Sequence, residues 1–107
     1  MTLDNNLRII KLIDCYGKLL TDKQYDIMSN YYFDNLTLSE IGDNFGISRQ
    51  AVNDCINKSI KILENFEDKL NVIAVHSDIL DRLEEVRECL TNDNLINKLD
   101  EVIELLK

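Results

Sequence analysis

The chain contains no proline and only three glycines in 107 residues, and this scarcity favours helices over strands. Tight turns between strands usually need glycine or proline, whereas long runs of Leu, Ile, Asn, Lys and Glu are compatible with helices. A hydrophobic fraction of 45% and a charged fraction of 30% exclude a mainly disordered chain. We therefore predict an all-α protein.

Two helices are predicted at the N-terminal end. The first covers Leu3 to Tyr16, and Gly17 is a natural stop. Its apolar stripe at helical spacing comprises Leu7, Ile10 and Ile13, widened by Ile9 and Leu12. The second covers Asp22 to Phe33, after a capping box of Thr21 and Gln24. An aromatic stripe before a turn is typical of a core, so we predict burial for Tyr25, Tyr31, Tyr32 and Phe33.

Four further helical segments are predicted. A short helix begins at Thr37 or Leu38 and ends before Gly46, and a long one begins after Ser48 and continues to about residue 72. Two amphipathic segments follow, separated by a break within residues 91–94. Their apolar residues lie at Ile79, Leu83, Val86 and Leu90, and at Leu95, Leu99, Val102 and Leu106. This 4, 3, 4 spacing indicates a seam on which another helix can pack.

The stretch "LSEIGDNFGISRQAV" has the pattern of a helix-turn-helix. Ile41 is expected in the core and Gly42 where the two helices touch, while Gly46 supplies a positive φ at the turn. Ile47 plugs the turn and Ser48 caps the second helix. Val52 faces back to the core together with either Cys55 or Ile56. A helical hairpin that serves only as a packing or protein-docking unit would show much of the same pattern, so that alternative stays open.

The polar residues of this stretch predict a DNA-binding surface. Arginine can pair with guanine, and glutamine or asparagine with adenine, in the major groove. The outer face of the second helix carries Arg49, Gln50, Asn53, Asn57 and Lys58, and the residues placed for phosphates are Thr37, Ser39 and Lys61. Ser48 is included because it caps the helix that would enter the groove.

Charge is distributed unequally along the chain. The formal net charge is -8 and the pI is about 4.5. Residues 63–107 hold twelve acidic and five basic side chains, whereas residues 48–62 hold three basic side chains against one acidic. The acidic total therefore does not argue against a groove-facing helix, because that helix is locally basic.

The residue types that enzymes and metal sites need are missing from the sequence pattern. The three cysteines, Cys15, Cys55 and Cys89, are scattered, and His76 is the sole histidine. We therefore predict no zinc site, no disulfide and no cofactor. The cysteines are predicted to be small buried residues. No nucleophile with a base and no phosphate-binding glycine loop is recognisable, so an enzyme is not predicted. Neither a signal peptide nor a membrane span is expected, and the predicted location is the cytoplasm.

The segments "LLTDKQ", "YYFDNLTLSEI", "ISRQAV" and "LENFEDKL" closely resemble the YlxM-like family of small bacterial helix-turn-helix proteins, along essentially the whole chain. That family is similar to region 4 of sigma factors, a wingless helix-turn-helix that binds promoter DNA. The resemblance implies DNA contact at Arg49 and Gln50, and a dimer. Because genes of the family tend to lie beside that of the signal recognition particle GTPase, it also implies a link to that particle.

Two functions follow as hypotheses. The first is a DNA-binding regulator that acts as a homodimer on double-stranded DNA. The second is a protein or ribonucleoprotein adaptor of the signal recognition particle pathway, which uses its acidic helices to meet a basic partner. In both we expect a single domain over residues 1–107, with a helix-turn-helix core in residues 1–62 and an acidic extension for self-association in residues 63–107.

Overall fold

The computed structural model describes residues 3–107, and within them every regular element is helical. The six α-helices are α1 Leu3–Tyr16, α2 Asp22–Tyr32, α3 Leu38–Phe45, α4 Arg49–Leu70, α5 Val72–Cys89 and α6 Asp93–Leu106, with a short 3₁₀ helix at Gly17–Leu19. The predicted all-α class and the order of the helices are confirmed. The long fourth helix ends at Leu70, and the next residue, Asn71, has a φ of 56° and directly precedes α5.

The chain forms two compact units, which divide after Leu70. In the first unit, α4 packs against α1, α2 and α3; in the second, α5 packs against α6. The predicted boundary at residue 62 falls inside α4. The last turns of α4 belong to the first unit, since Leu63 is fully buried there.

The first unit has a core built from one face of each helix. Its fully or nearly fully buried side chains include Ile9, Leu12, Ile13, Ile27, Met28, Ile41, Val52 and Leu63. The stripe of α1 is therefore rotated from the predicted one: Leu7 is 48% exposed, and Tyr16 is buried instead. The helix itself is the one predicted, but its buried face is the one that carries Ile9, Leu12, Ile13 and Tyr16.

The aromatic stripe of α2 is only partly core. Tyr32 is buried and meets the ring of Tyr31 edge-on, with the ring centroids 5.0 Å apart. Burial raises the pKa of the Tyr32 hydroxyl. Tyr25 and Phe33 are 38% and 42% exposed, so the prediction that they are buried is wrong. The ring of Tyr25 lies instead on Gly17, where an added Cβ would be 2.9 Å from it.

Two polar contacts join α1 to the C-terminal half of α4. The guanidinium of Arg8 donates to both oxygens of Glu64, at 3.0 and 2.6 Å, and this bond raises the pKa of Arg8. The hydroxyl of Tyr16 donates to Oε1 of Glu67, whose side chain is buried. A buried carboxylate is costly unless it is hydrogen-bonded, so the Tyr16 contact helps to fix α1 on α4.

The second unit keeps most of its apolar side chains exposed. α5 has no buried residue among its eighteen, and Val72, Val75, Ile79 and Val86 are 42–49% exposed. On α6, Ile103 is buried, while Leu95, Val102 and Leu105 are exposed. The two helices are joined by an ion pair in which Arg87 donates to Asp100.

Candidate nucleic-acid interface

The segment from Thr37 to Ser48 builds the helix-turn-helix from local contacts. α3 starts with a capping box, in which the Thr37 hydroxyl accepts from the Glu40 amide and the Thr37 amide donates to the Glu40 carboxylate, at 3.1 and 3.2 Å. The predicted positive φ occurs at Gly46, which has a φ of 68°. Ser48 accepts from the Ala51 amide at 3.0 Å and caps α4, as predicted. The turn therefore fixes where both helices begin and end.

Gly42 lets the turn lie against α3. A Cβ at this residue would be 2.7 Å from the carbonyl oxygen of Ile47 and 3.5 Å from the amide nitrogen of Arg49. The Ile47 amide also donates to the Gly42 carbonyl at 3.0 Å. The prediction that Gly42 lies where the helices meet is confirmed, and its reason is the backbone of the turn rather than a side chain.

α4 has two distinct faces. The buried residues Val52, Ile56, Ser59, Leu63 and Glu67 recur every three to four positions. This selects Ile56 over Cys55, which is half-buried, as the partner of Val52. Since successive residues turn by about 100° around the helix, the opposite face carries Gln50, Asp54, Asn57, Lys58 and Lys61, and continues toward the C-terminus with Asn65 and Asp68. All seven are exposed.

The structure brings four of the predicted DNA-binding residues together on this opposite face, which we call the outer face of α4. They are Gln50, Asn57, Lys58 and Lys61. Asn53 is half-buried and lies on the flank of the helix, so the prediction that it lies on the outer face is wrong. Ser39 is exposed in the first turn of α3, on a different helix.

Arg49 lies beside a groove rather than on the outer face. The groove has a volume of about 580 Å³ and is lined by residues from α1, α2, the start of α3 and α4. Arg49 and Thr37 both line it, together with Leu7, Ile10, Tyr31 and Leu38. Arg49 and Thr37, which were both predicted to contact DNA, therefore line the same groove and are separate from the outer face of α4.

Asp54 is a residue of the outer face that was missing from the predicted interface. Gln50 Nε2 donates a hydrogen bond to Asp54 Oδ1 at 2.9 Å, one helical turn away. The spacing of four between a glutamine and an aspartate is the signal that would have found it. In the sequence, Asp54 was counted only as a charge and not as a partner of Gln50.

The cysteines do not behave as predicted. All three are free; Cys15 and Cys89 are exposed and Cys55 is half-buried, so the expectation that they are small buried residues is wrong. Helix periodicity explains Cys15, because it lies next to, not in, the buried stripe of α1. In residues 3–107 no three His, Cys, Asp or Glu side chains are grouped so that they could hold a metal ion. In the same range no helix is both long and apolar enough to span a bilayer.

Comparison with known proteins places these features in one family. Residues 3–102 match the model of the UPF0122 family, described as "Putative helix-turn-helix protein, YlxM / p13 like". The chain is 37% identical over 105 residues to a UPF0122 protein of Shouchella clausii, covering 98% of this chain and 96% of that one. It is 38% identical to the UPF0122 protein YofM of Lactococcus lactis, covering 95% and 93%. A UPF0122 protein of Halalkalibacterium halodurans is 42% identical, covering 92% and 94%.

Proposed function

Because the chain belongs to the YlxM / p13-like family of helix-turn-helix proteins, we propose that it is a transcription regulator that binds double-stranded DNA as a homodimer. The observation that carries the proposal is the division of α4 into a buried stripe and an exposed outer face. The core contacts of α4 use none of the residues on that face. The side chains there can therefore meet a ligand without any rearrangement of the fold.

The chemistry of the outer face supports the major groove as its target. Gln50 and Asn57 carry amides that can pair with adenine. Lys58 and Lys61 are exposed cations that lie three residues apart on the helix. The hydroxyl of Ser48 uses only an acceptor site in its cap, so its hydrogen can be donated to a phosphate. The N-terminus of α4 lies beside it and carries the positive end of the helix dipole, which favours the same anion.

Dimerisation would strengthen DNA binding for an electrostatic reason. Each copy of α4 offers few cations to the DNA, and phosphate contacts supply most of the affinity of non-specific binding. Two copies held together double the number of phosphate contacts, and once the first copy has bound, the second binds the same DNA molecule as an intramolecular event. The exposed apolar side chains of α5, among them Val75, Ile79 and Val86, are a surface that a second copy can cover. The two copies of α4 should then be about 34 Å apart, or a multiple of that distance.

The test is selection of bound duplexes from a random pool, followed by affinity measurements at several salt concentrations. We expect one enriched motif that is lost when Gln50 is replaced by alanine. Replacing Lys58 or Lys61 with alanine should weaken binding to all sequences and reduce the salt slope by about 1 for each lysine. Lys23 on α2 provides the matched control, since Lys23→Ala removes the same charge elsewhere in the first unit. Binding that is insensitive to salt would contradict the proposal.

The second candidate function is an adaptor for the signal recognition particle pathway. One observation favours it: residues 71–107 hold nine acidic and four basic side chains, and the same segment leaves several large apolar side chains exposed. Such a surface suits a partner that is basic and partly apolar. Charge reversal at Glu84, Glu85 and Glu88 should abolish co-purification of that partner, while Gln50→Ala should leave it intact. The opposite dependence would reject the adaptor. Both functions belong to the bacterial cytoplasm, where chromosomal DNA and this particle are found.

A further inference from the structure

We propose that Asp54 is a positioning residue that makes Gln50 selective for adenine over guanine. The inference rests on the proposed binding of DNA by the outer face of α4. Its structural basis is the hydrogen bond from Gln50 Nε2 to Asp54 Oδ1, 2.9 Å long, between two exposed side chains on that face. Both residues lie within the first two turns of α4, the part of a recognition helix that meets base edges.

The selectivity follows from counting the hydrogen-bonding groups of one amide. The Gln50 side chain has two N–H donors and one carbonyl acceptor. Adenine presents an acceptor at N7 and a donor at N6, so it needs one N–H and the carbonyl oxygen. With one N–H given to Asp54, the other N–H and the carbonyl oxygen remain. Gln50 can thus bind adenine in bidentate fashion while it keeps its bond to Asp54.

Guanine fits the same arrangement poorly. It presents two acceptors, O6 and N7, in the major groove. To satisfy both, Gln50 would have to turn both N–H groups to the base and give up the bond to Asp54. The carboxylate would then lie beside two acceptor atoms with no hydrogen between them, which is an unfavourable approach for like partial charges. Asp54 therefore acts against the wrong base as well as for the right one.

The arrangement has a cost in affinity. A carboxylate on the outer face repels the phosphates that Lys58 and Lys61 attract, so Asp54 lowers the affinity for every duplex. Asp54 makes no contribution to the core, because its side chain points away from the buried stripe and is exposed. A negative charge at this position thus has no role in packing, and the structure gives it a hydrogen-bond donor, Gln50. Holding Gln50 in place before binding also reduces the side-chain entropy lost on binding.

Two substitutions vary the acceptor atoms of Asp54 and its charge. Asp54→Ala removes both, whereas Asp54→Asn removes the charge and exchanges one of the two acceptor oxygens for an NH₂ donor. Selection of duplexes with the wild-type protein and with Gln50→Ala identifies the base position that Gln50 reads. Affinities are then measured for duplexes that carry adenine or guanine there, and tyrosine fluorescence checks that each variant is folded.

We expect Asp54→Ala to bind the selected duplex at least as tightly as the wild type but to lose roughly tenfold of its preference for adenine over guanine. Asp54→Asn should gain affinity in the same way and keep at most part of the preference, because its amide can turn either its oxygen or its NH₂ group to Gln50. An unchanged preference in Asp54→Ala overturns the inference and leaves DNA binding intact. A wild-type protein that binds no duplex overturns the proposed function and this inference together.

A measurement on the free protein tests the hydrogen bond itself. In a ¹⁵N–¹H NMR spectrum recorded near neutral pH, the side-chain amide signals of Gln50 should differ between the wild type and Asp54→Ala, because the substitution removes the acceptor of one Gln50 N–H. Gln50 signals at the same positions in both proteins show that the bond is not formed in solution, and they overturn the inference without any reference to DNA.

Discussion

The contact between Gly42 and the turn can be tested by a substitution for which two effects have opposite signs. Alanine is a better helix former than glycine by about 1 kcal/mol, so Gly42→Ala would stabilise an unobstructed α3 by that amount. In this structure the new Cβ would lie 2.7 Å from the Ile47 carbonyl oxygen, closer than the 3.0 Å below which real Cβ atoms are essentially never found. The obstacle is backbone and cannot rotate away.

The expected result is a net loss of stability. Overpacking against a rigid neighbour costs roughly 2–3 kcal/mol, which exceeds the gain of about 1 kcal/mol from helix propensity. We therefore expect Gly42→Ala to lower the free energy of unfolding of the first unit by about 1–2 kcal/mol. It should also weaken DNA binding, since the relief of the clash moves the N-terminus of α4 away from α3.

Urea unfolding followed by tyrosine fluorescence measures this loss in the first unit alone. The chain has no tryptophan, and its four tyrosines all lie before residue 71, at Tyr16, Tyr25, Tyr31 and Tyr32. Gly46→Ala is the matched control. Its Cβ would meet nothing within 4 Å, so it reports only the cost of about 1–2 kcal/mol for a positive φ. A Gly42→Ala protein as stable as the wild type, or more stable, would refute the close approach.

Two further predictions concern polar contacts. Tyr16→Phe removes the hydroxyl that donates to the buried Glu67, and should lower the free energy of unfolding by about 1.5–3 kcal/mol in the same urea assay; a change below about 0.5 kcal/mol would contradict the contact. The hydrogen bond from Arg87 lowers the pKa of the Asp100 carboxyl below its ordinary value of 3.8. The stabilisation of the α5–α6 pair by this bond is therefore present above pH 3.8, and it is lost as the pH falls through the lowered pKa. By circular dichroism, the wild type should therefore be more stable than Asp100→Asn near neutral pH, and this advantage should disappear in acid; an advantage that persists would contradict the pairing.

Much of the first unit could be predicted because its signals are local. The capping box at Thr21 and Gln24 is present as predicted, since it depends on two residues three apart. The same pattern at Thr37 and Glu40 was equally readable, yet Thr37 was predicted only as a possible first residue of the short helix and as a phosphate contact. The positive φ of Gly46 followed from the residue type and from its place at the end of a helix.

The features that escaped prediction depend on tertiary contacts. Glu67 lies in an acidic stretch and resembles a solvated residue, but its partner Tyr16 is 51 residues away in sequence. No periodicity in α4 alone indicates that contact. The rotation of the buried stripe on α1 has the same origin, because the side of α1 that is buried is decided by the helices that pack on it and not by the number of apolar residues it carries.

The candidate interface was predicted in composition but not in arrangement. Residue types identified Gln50, Asn57, Lys58 and Lys61 as suitable for DNA, and the structure groups these four on one face. The placement of Arg49 beside the groove was not foreseeable, since a residue in the first turn of a helix can be turned to either flank by the element before it. Asp54 was overlooked because an acidic charge was weighed against DNA binding by its sign alone.

The two faces of α4 also bear on how proteins of this kind can change over evolutionary time. Substitutions at exposed positions away from structural contacts usually alter stability by less than about 0.5 kcal/mol. The outer face meets that condition, while the opposite side of the same helix carries Val52, Ile56 and Leu63 in the core. Under the proposed function, descendants of such a chain can therefore acquire a new recognition preference by substitutions on that face, with the scaffold unchanged.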